Sequence, residues 1–177
     1  MFRGINIINL DPKGRMAMPA RYRARLQGAI VSGGGNSRGG RSSGDGSGGG
    51  AGASGQLILT IDTHEPCLLL YPLNEWEVIE QKIEALPSFH PVTRRIQRLL
   101  IGHATELELD SSGRILLPPL LRDYAKLDKQ VMMIGQGKKF EIWSDTNWQA
   151  GRDSWIEKTS QKEEKETLPP ELQSFSL

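Results

Sequence analysis

One fourteen-residue segment occurs twice in this chain, and that duplication constrains the fold more than any other feature. Residues 10–23 read LDPKGRMAMPARYR and residues 109–122 read LDSSGRILLPPLLR, with six identical positions. Such agreement at a constant offset in a chain of 177 residues indicates an internal repeat. Whatever local structure one copy adopts, the other copy is therefore expected to adopt as well.

Each copy has the pattern of a tight turn between two strands. In Leu-Asp-x-x-Gly-Arg the Asp carboxylate can accept hydrogen bonds from the backbone two residues further on, and the Gly permits a positive φ. We therefore assign Asp11 and Gly14 as turn-forming residues in the first copy, and Asp110 and Gly113 in the second. Apolar strand-like runs flank both turns, and a proline after each second run is typical of the start of a short helix.

These patterns predict an α+β fold made of two β/α repeats, with two helices between them and one helix after them. The expected divisions are residues 5–77 for repeat one, 78–104 for the connecting helices, 105–149 for repeat two and 150–177 for the C-terminal helix and tail. Because the two repeats align, they can also be compared loop by loop.

Repeat one contains a glycine-rich insert that repeat two lacks. Twelve of the 20 glycines fall between residues 33 and 55, and the loop of repeat two closes without any such segment. Lengthening a flexible loop from 9 to 34 residues costs only about 1 kcal/mol. We expect the Gly/Ser-rich insert 32–55 to be a disordered surface loop.

Composition and charge exclude several classes of protein. A single cysteine excludes a disulfide scaffold, and no apolar run approaches the roughly 18 residues of a membrane span. We expect a cytoplasmic protein with no membrane association. The net charge is only +1, yet residues 1–26 carry six basic residues against one acidic residue. This basic head favours an anionic partner, with nucleic acid as the leading candidate.

The sequence offers little for catalysis. His64 and Cys67 are three positions apart, as in half of a metal site, but no second pair accompanies them, and Cys67 opens an apolar run typical of a core thiol. Glycine patterns resembling a dinucleotide fingerprint at residues 44–55 neither follow a strand nor open a helix. We expect no enzymatic activity, no metal, no cofactor and no small-molecule substrate.

Several motifs together resemble the MraZ family of bacterial transcriptional regulators. They are MFRG at residues 1–4, both copies of the repeated segment, CLLLYPLNEWE at 67–77 and RRIQRLLIGHA at 94–104. The likeness covers nearly all of the chain except the insert and the last dozen residues. It implies a duplicated AbrB-like fold of the swapped-hairpin type, rings of several protomers, and no enzymatic activity. It also implies binding to short direct repeats of promoter DNA, usually as a repressor of the protein's own division and cell-wall gene cluster, and hence a nucleoid-associated protein.

Charge decides which turn is the better DNA contact. Residues 107–125 carry three acidic residues against two basic ones, whereas the first turn lies in the basic head. Because carboxylates penalise approach to phosphates, we predict Arg15 as the main contact, with Lys13 and Arg3 beside it and Arg114 as a secondary contact. The family resemblance points to the same Arg15.

Two alternatives stay open at this point. Each turn arginine could simply pair with the turn aspartate and act as a structural staple. The whole protein could instead be a non-catalytic oligomeric scaffold whose basic face binds protein or RNA. Arg23 and Arg122, which also match between the repeats, are expected to be helix-surface or core-edge residues in salt bridges.

Overall fold

A computed structural model describes residues 1–28 and 55–160, apart from the side chains at 27, 28, 159 and 160. The strands in chain order are β1 Phe2–Asn9, β2 Arg15–Ala17, β3 Gln56–Ile61, β4 Leu68–Pro72, β5 Thr105–Glu108, β6 Arg114–Leu116, β7 Gln130–Gly137 and β8 Lys139–Ser144. The helices are α1 Ala20–Gly28, α2 Leu73–Glu84, α3 Pro91–Ile96, α4 Pro119–Tyr124 and α5 Asp145–Ser160. A π-helical turn over Gln97–Ile101 continues α3. The chain divides into two compact units, Met1–Ser144 and Asp145–Leu177, and α5 belongs to the second.

Six strands of the first unit form one antiparallel sheet in the order β1-β7-β8-β4-β3-β5. The strands cross between repeats: β1 of repeat one pairs with β7 of repeat two, and β5 of repeat two pairs with β3 of repeat one. At the centre of the sheet β4 pairs with β8, one strand from each repeat. The two repeats are therefore interleaved in a single sheet and do not lie side by side as separate domains.

The remaining two strands form a small antiparallel ribbon, β2–β6, which again takes one strand from each repeat. Met16 lies directly opposite Ile115, its counterpart in the other repeat, and both side chains are fully buried. Alternate residues of a strand point to opposite faces. One face of the ribbon therefore belongs to the core and the other is presented outward.

The main core lies between one face of the six-stranded sheet and the inner face of the ribbon. It is built from alternating strand residues and from one side of α1 and α4, including Leu26 and Leu121. Three aromatic rings, those of Phe2, Tyr22 and Phe140, pack together with centroids 4.2–5.8 Å apart. Burial of strand residues from both repeats in one core explains why the repeats exchange strands.

The expected combination of β-strands with several helices in one α+β chain is confirmed, and the main sheet is antiparallel. The sequence divisions at 77/78 and 149/150 fall inside α2 and α5, so they do not coincide with the ends of structural elements. The insert 32–55 lies outside the described residues except for Gly55, which is buried next to β3, and residues 161–177 lie outside them as well. No helix in the described part of the chain has the length and apolar character to cross a membrane.

Candidate nucleic-acid interface

Residues 11–14, here called turn 1, have the hydrogen bonds that the motif predicts. Asp11 Oδ1 accepts hydrogen bonds from the backbone N–H groups of Lys13 and Arg15, each at 2.9 Å. The Gly14 N–H donates to the Asp11 carbonyl at 2.8 Å, and Gly14 has a φ of +79°. Residues with a Cβ rarely adopt this conformation, so the turn requires glycine at that position.

Residues 110–113, here called turn 2, repeat the same geometry. Asp110 Oδ1 accepts from the N–H groups of Ser112 and Arg114, again at 2.9 Å, and the Gly113 N–H donates to the Asp110 carbonyl at 2.8 Å. Gly113 has a φ of +72°. Both repeats therefore have an aspartate and a positive-φ glycine at equivalent positions of the same turn.

An ion pair lies within each turn. Arg15 Nε donates to Asp11 Oδ2 at 2.5 Å, and Arg114 approaches Asp110 Oδ2 with both Nε and Nη2 at 2.8 Å. The ion pair between the turn arginine and the turn aspartate, which the sequence left open as an alternative, is thus present in both copies. In both copies the hydrogen bond from the arginine side chain to the turn carboxylate comes from Nε.

Both turn arginines project from the outward face of the ribbon. In the strand register Arg15 lies opposite Leu116, and Ala17 lies opposite Arg114. Paired residues of an antiparallel ribbon share a face, and diagonal neighbours are about 7–8 Å apart. The two arginine side chains, 32% and 34% exposed, therefore stand close together on one solvent-facing surface.

Hydrogen bonding keeps the turn carboxylates ionised. The backbone N–H of Arg15 is the largest cause of a lowered pKa for Asp11, and that of Arg114 has the same effect on Asp110, while partial desolvation opposes both. Each pKa lies below the ordinary value of 3.8. A depressed carboxyl pKa stabilises the folded state above the unfolded pKa, and that stabilisation is lost as pH falls through the folded pKa. The turns therefore keep their ion pairs throughout the neutral range.

The other two predicted contacts lie in different places. Lys13 is exposed within turn 1, next to Arg15. Arg3 is also exposed, but it lies in β1, eight residues before Asp11, which corresponds to roughly 26 Å of extended strand. The structure therefore brings Lys13 and Arg15 together and separates Arg3 from both.

Within the part of the chain that the structure describes, Arg23 and Arg122 are not in the salt bridges that we expected. Arg23 Nε donates to the carbonyl of Met18 at 2.7 Å, and Arg122 Nε donates to the carbonyl of Leu117 at 3.1 Å. Each guanidinium lies against the turn glycine of the other repeat. Sequence reasoning missed this role, although the identity of the two arginines in both repeats was a signal for it.

The sequence pair His64 and Cys67 does not form a joint site. The His64 imidazole is 90% exposed, whereas Cys67 is fully buried immediately before β4. Burial is the main cause of a raised pKa for the Cys67 thiol, so the neutral thiol predominates. Cys67 is the core residue that its apolar surroundings predicted.

Comparison with known proteins gives consistent matches. The family model described as "MraZ protein, putative antitoxin-like" matches residues 51–99 and 100–169. A transcriptional regulator MraZ of Coxiella burnetii (strain RSA 493 / Nine Mile phase I) is 51% identical over 177 residues, and one of Legionella pneumophila (strain Paris) is 46% identical over 179 residues. A third, from Alkalilimnicola ehrlichii, is 45% identical over 177 residues. Each alignment covers 100% of both chains.

The fold and the paired turns define an α+β protein with a duplicated, interleaved antiparallel sheet and two arginine-bearing turns on one exposed ribbon. Together with these matches, they identify the family. The chain belongs to the MraZ family, and the related proteins named above are transcriptional regulators.

Proposed function

We propose that this protein is a sequence-specific DNA-binding transcriptional regulator and that the outward face of the β2–β6 ribbon is its DNA contact. The observation that carries the proposal is the placement of Arg15 and Arg114 on one exposed surface, each oriented by its turn aspartate. Two-stranded β-ribbons are among the elements that fit the grooves of B-DNA. An arginine held by a carboxylate loses little side-chain entropy when it binds a base edge or a phosphate.

Turn 1 supplies the stronger contact in this proposal. Both turn arginines donate to the turn carboxylate through Nε, so the difference between the turns lies in the neighbouring charges. Lys13 adds an exposed cation beside Arg15, at the position where turn 2 has the neutral Ser112. Arg15 and Lys13 are therefore the proposed primary contacts and Arg114 the secondary one. Arg3 is a separate, outlying phosphate contact, because it lies far along β1.

One ribbon with so few cations binds DNA weakly, so the proposal includes assembly into a homo-oligomeric ring. A unit of about 144 residues is expected to have a radius of gyration near 15 Å and to be roughly 35–40 Å across. One turn of B-DNA measures about 34–36 Å, so adjacent protomers could meet successive direct repeats on the same face of the duplex. Several weak contacts on one DNA molecule would then act together.

The biological part of the proposal follows from the family. We infer an AbrB-like fold of the swapped-hairpin type, which the exchange of β1 and β5 between the repeats supports. We further infer repression of the protein's own division and cell-wall gene cluster, in the cytoplasm and associated with the nucleoid. The related proteins are named transcriptional regulators, which supports a non-enzymatic role.

Substitution of Arg15 tests the DNA contact. We expect Arg15→Ala to abolish specific binding to DNA from upstream of the protein's own gene, and Arg114→Ala to weaken it by a smaller factor. Fluorescence anisotropy at two salt concentrations measures the affinity, and light scattering checks that both variants keep the oligomer. Loss of one phosphate contact reduces the salt slope by about 0.9.

The matched variant Arg114→Ala separates the two turns, because it removes the same side chain at the equivalent position. Unchanged affinity in Arg15→Ala, with normal assembly, would contradict the proposed contact. If the unmodified protein shows no sequence-specific, salt-sensitive binding, the alternative of an oligomeric scaffold is favoured.

A further inference from the structure

Two arginines outside the turns cover the turn glycines across the repeat boundary. Arg122, in α4 of repeat two, covers Gly14 of turn 1, and a methyl group built on Gly14 would lie only 2.7 Å from Arg122 Cζ. Arg23, in α1 of repeat one, covers Gly113 of turn 2 in the same way, at 2.5 Å. Contacts between carbon atoms are favourable at about 3.5–4.0 Å. Each guanidinium therefore occupies space that only a glycine leaves open.

A hydrogen bond from its Nε to a backbone carbonyl holds the Arg122 guanidinium in this position. Arg122 Nε donates to the Leu117 carbonyl at 3.1 Å, and the Leu117 N–H donates to the Gly14 carbonyl at 3.1 Å. Leu117 thus connects the arginine to turn 1 through its own peptide groups. Further along, the Leu10 N–H donates to the Lys129 carbonyl at 2.7 Å, so the approach to turn 1 is also bound to repeat two.

Turn 2 has the equivalent contacts, with the roles of the two repeats exchanged. Arg23 Nε donates to the Met18 carbonyl at 2.7 Å, and the Met18 N–H donates to the Gly113 carbonyl at 2.9 Å. The same contacts occur at equivalent positions of both repeats, so they belong to the duplicated unit. A guanidinium is planar and rigid, and its flat face matches a glycine Cα that lacks a side chain.

We propose that Arg122 and Arg23 are positioning residues, each of which sets the orientation of the Asp–Arg turn in the other repeat. The consequence for DNA binding rests on the proposed function, in which turn 1 is the main contact. Arg122, from the acidic second repeat, then supports the presentation of Arg15. Arg23, from the basic head, supports turn 2 and contributes less to DNA affinity.

This assignment opposes the one that charge alone suggests. Arg23 lies among six basic residues and Arg122 lies in a region with more acidic than basic residues. An electrostatic criterion would therefore rank Arg23 as the more important residue for DNA binding. The cross-repeat packing predicts instead that Arg122 is the more important residue for DNA affinity. The two variants Arg122→Ala and Arg23→Ala therefore distinguish the packing explanation from the electrostatic one.

Hydrogen–deuterium exchange tests the positioning role without DNA. In the full-length protein we expect Arg122→Ala to raise exchange in a peptide covering residues 10–16 and to leave residues 109–115 unchanged; Met18 and Leu117 are left out because their N–H groups donate to the turn of the other repeat. Arg23→Ala should produce the opposite pattern. Exchange in residues 10–16 that matches the unmodified protein in Arg122→Ala would overturn the proposal.

DNA affinity and its salt dependence test the functional consequence. We expect Arg122→Ala to weaken specific binding about tenfold, a difference of about 1.4 kcal/mol, with the salt slope unchanged. Arg23→Ala should weaken it by a smaller factor than Arg122→Ala. A slope reduced by about 0.9 in Arg122→Ala would identify a direct phosphate contact and overturn the positioning role. Equal losses in the two variants would overturn it as well.

Arg122→Lys provides a second variant that keeps the charge but lacks the planar guanidinium. We expect it to behave like Arg122→Ala in both measurements, whereas full affinity in Arg122→Lys would overturn the proposal. A comparison with Arg15→Ala distinguishes the positioning role of Arg122 from the proposed DNA contact of Arg15. If Arg15→Ala binds DNA normally while Arg122→Ala raises exchange in residues 10–16 and not in residues 109–115, the proposed DNA contact fails and the positioning role stands.

Discussion

Gly14 and Gly137 have the same backbone conformation in very different surroundings. Their φ angles are +79° and +73°. A methyl group on Gly14 would collide with Arg122, whereas one on Gly137 would meet no atom of the described residues within 4 Å. Any substitution at either glycine strains the backbone, but a substitution at Gly14 also displaces the Arg122 side chain. The two positions therefore distinguish the cost of backbone strain from the cost of moving a neighbouring side chain.

We expect Gly14→Ala to destabilise the protein more than Gly137→Ala. The left-handed conformation costs an alanine about 1–2 kcal/mol at either position. At Gly14 the guanidinium of Arg122 must also move and lose its hydrogen bond to the Leu117 carbonyl, which adds about 0.5–1.5 kcal/mol. Urea denaturation of both variants measures the difference. Equal unfolding free energies would indicate that the arginine yields without cost.

At the scale of elements, the β2–β6 ribbon has one face buried in the core and one face exposed to solvent. Ile115 is fully buried, while its neighbour Leu116 is 53% exposed on the face that carries the turn arginines. Three residues of each strand are enough for a ribbon because its inner face is anchored in the core. The stability of the ribbon therefore depends on its inward residues and its function on the outward ones.

Neighbouring substitutions in β6 test this division. We expect Ile115→Ala to lower the free energy of unfolding by about 2–5 kcal/mol through lost burial and a cavity. Leu116→Ala should change it by no more than about 0.5 kcal/mol, because the side chain is largely in solvent. Chemical denaturation provides the measurement. A large loss of stability in Leu116→Ala would mean that a partner covers this face in the oligomer.

At the scale of the whole molecule, the repeats depend on each other. Each repeat contributes an edge strand that pairs only with the other repeat in the described sheet, β1 with β7 and β5 with β3. Neither repeat has a complete sheet or a complete set of turn contacts without its counterpart. By contrast, the segment joining α1 to β3 has no equivalent of its length in repeat two, where the five residues 125–129 join α4 to β7.

Deletion of residues 32–54 should leave the fold and the DNA affinity intact. Gly55 is kept because it is buried next to β3. Repeat two closes the equivalent connection with few residues, and a shorter loop loses less entropy on closure, which favours the folded state by about 1–2 kcal/mol. Circular dichroism, thermal unfolding and DNA titration check the three properties. Loss of the oligomer or of DNA binding would assign a role in assembly or recognition to this segment.

Local features were predictable from the sequence. The Asp and Gly of each turn, the short strands after the turns and the helices that begin near Pro19 and Pro118 depend on hydrogen bonds and backbone preferences within a few residues. The long-range placement was not predictable in the same way. Arg3 was expected beside Arg15, but β1 carries it away from the turn. Arg23 and Arg122 were expected in ion pairs, but they lie against glycines of the other repeat.

The sequence by itself determined that this chain consists of two copies of one turn-containing unit, and it singled out the arginines that the copies share. Only the tertiary structure decided that the copies exchange strands, that both turn arginines stand on one ribbon face and that each turn is covered by an arginine from the other repeat. The physical reason is that turns arise from local hydrogen bonds, whereas strand exchange and cross-repeat packing depend on burial in a shared core. The residues that meet in that core are about one hundred positions apart, so no local pattern encodes their contact.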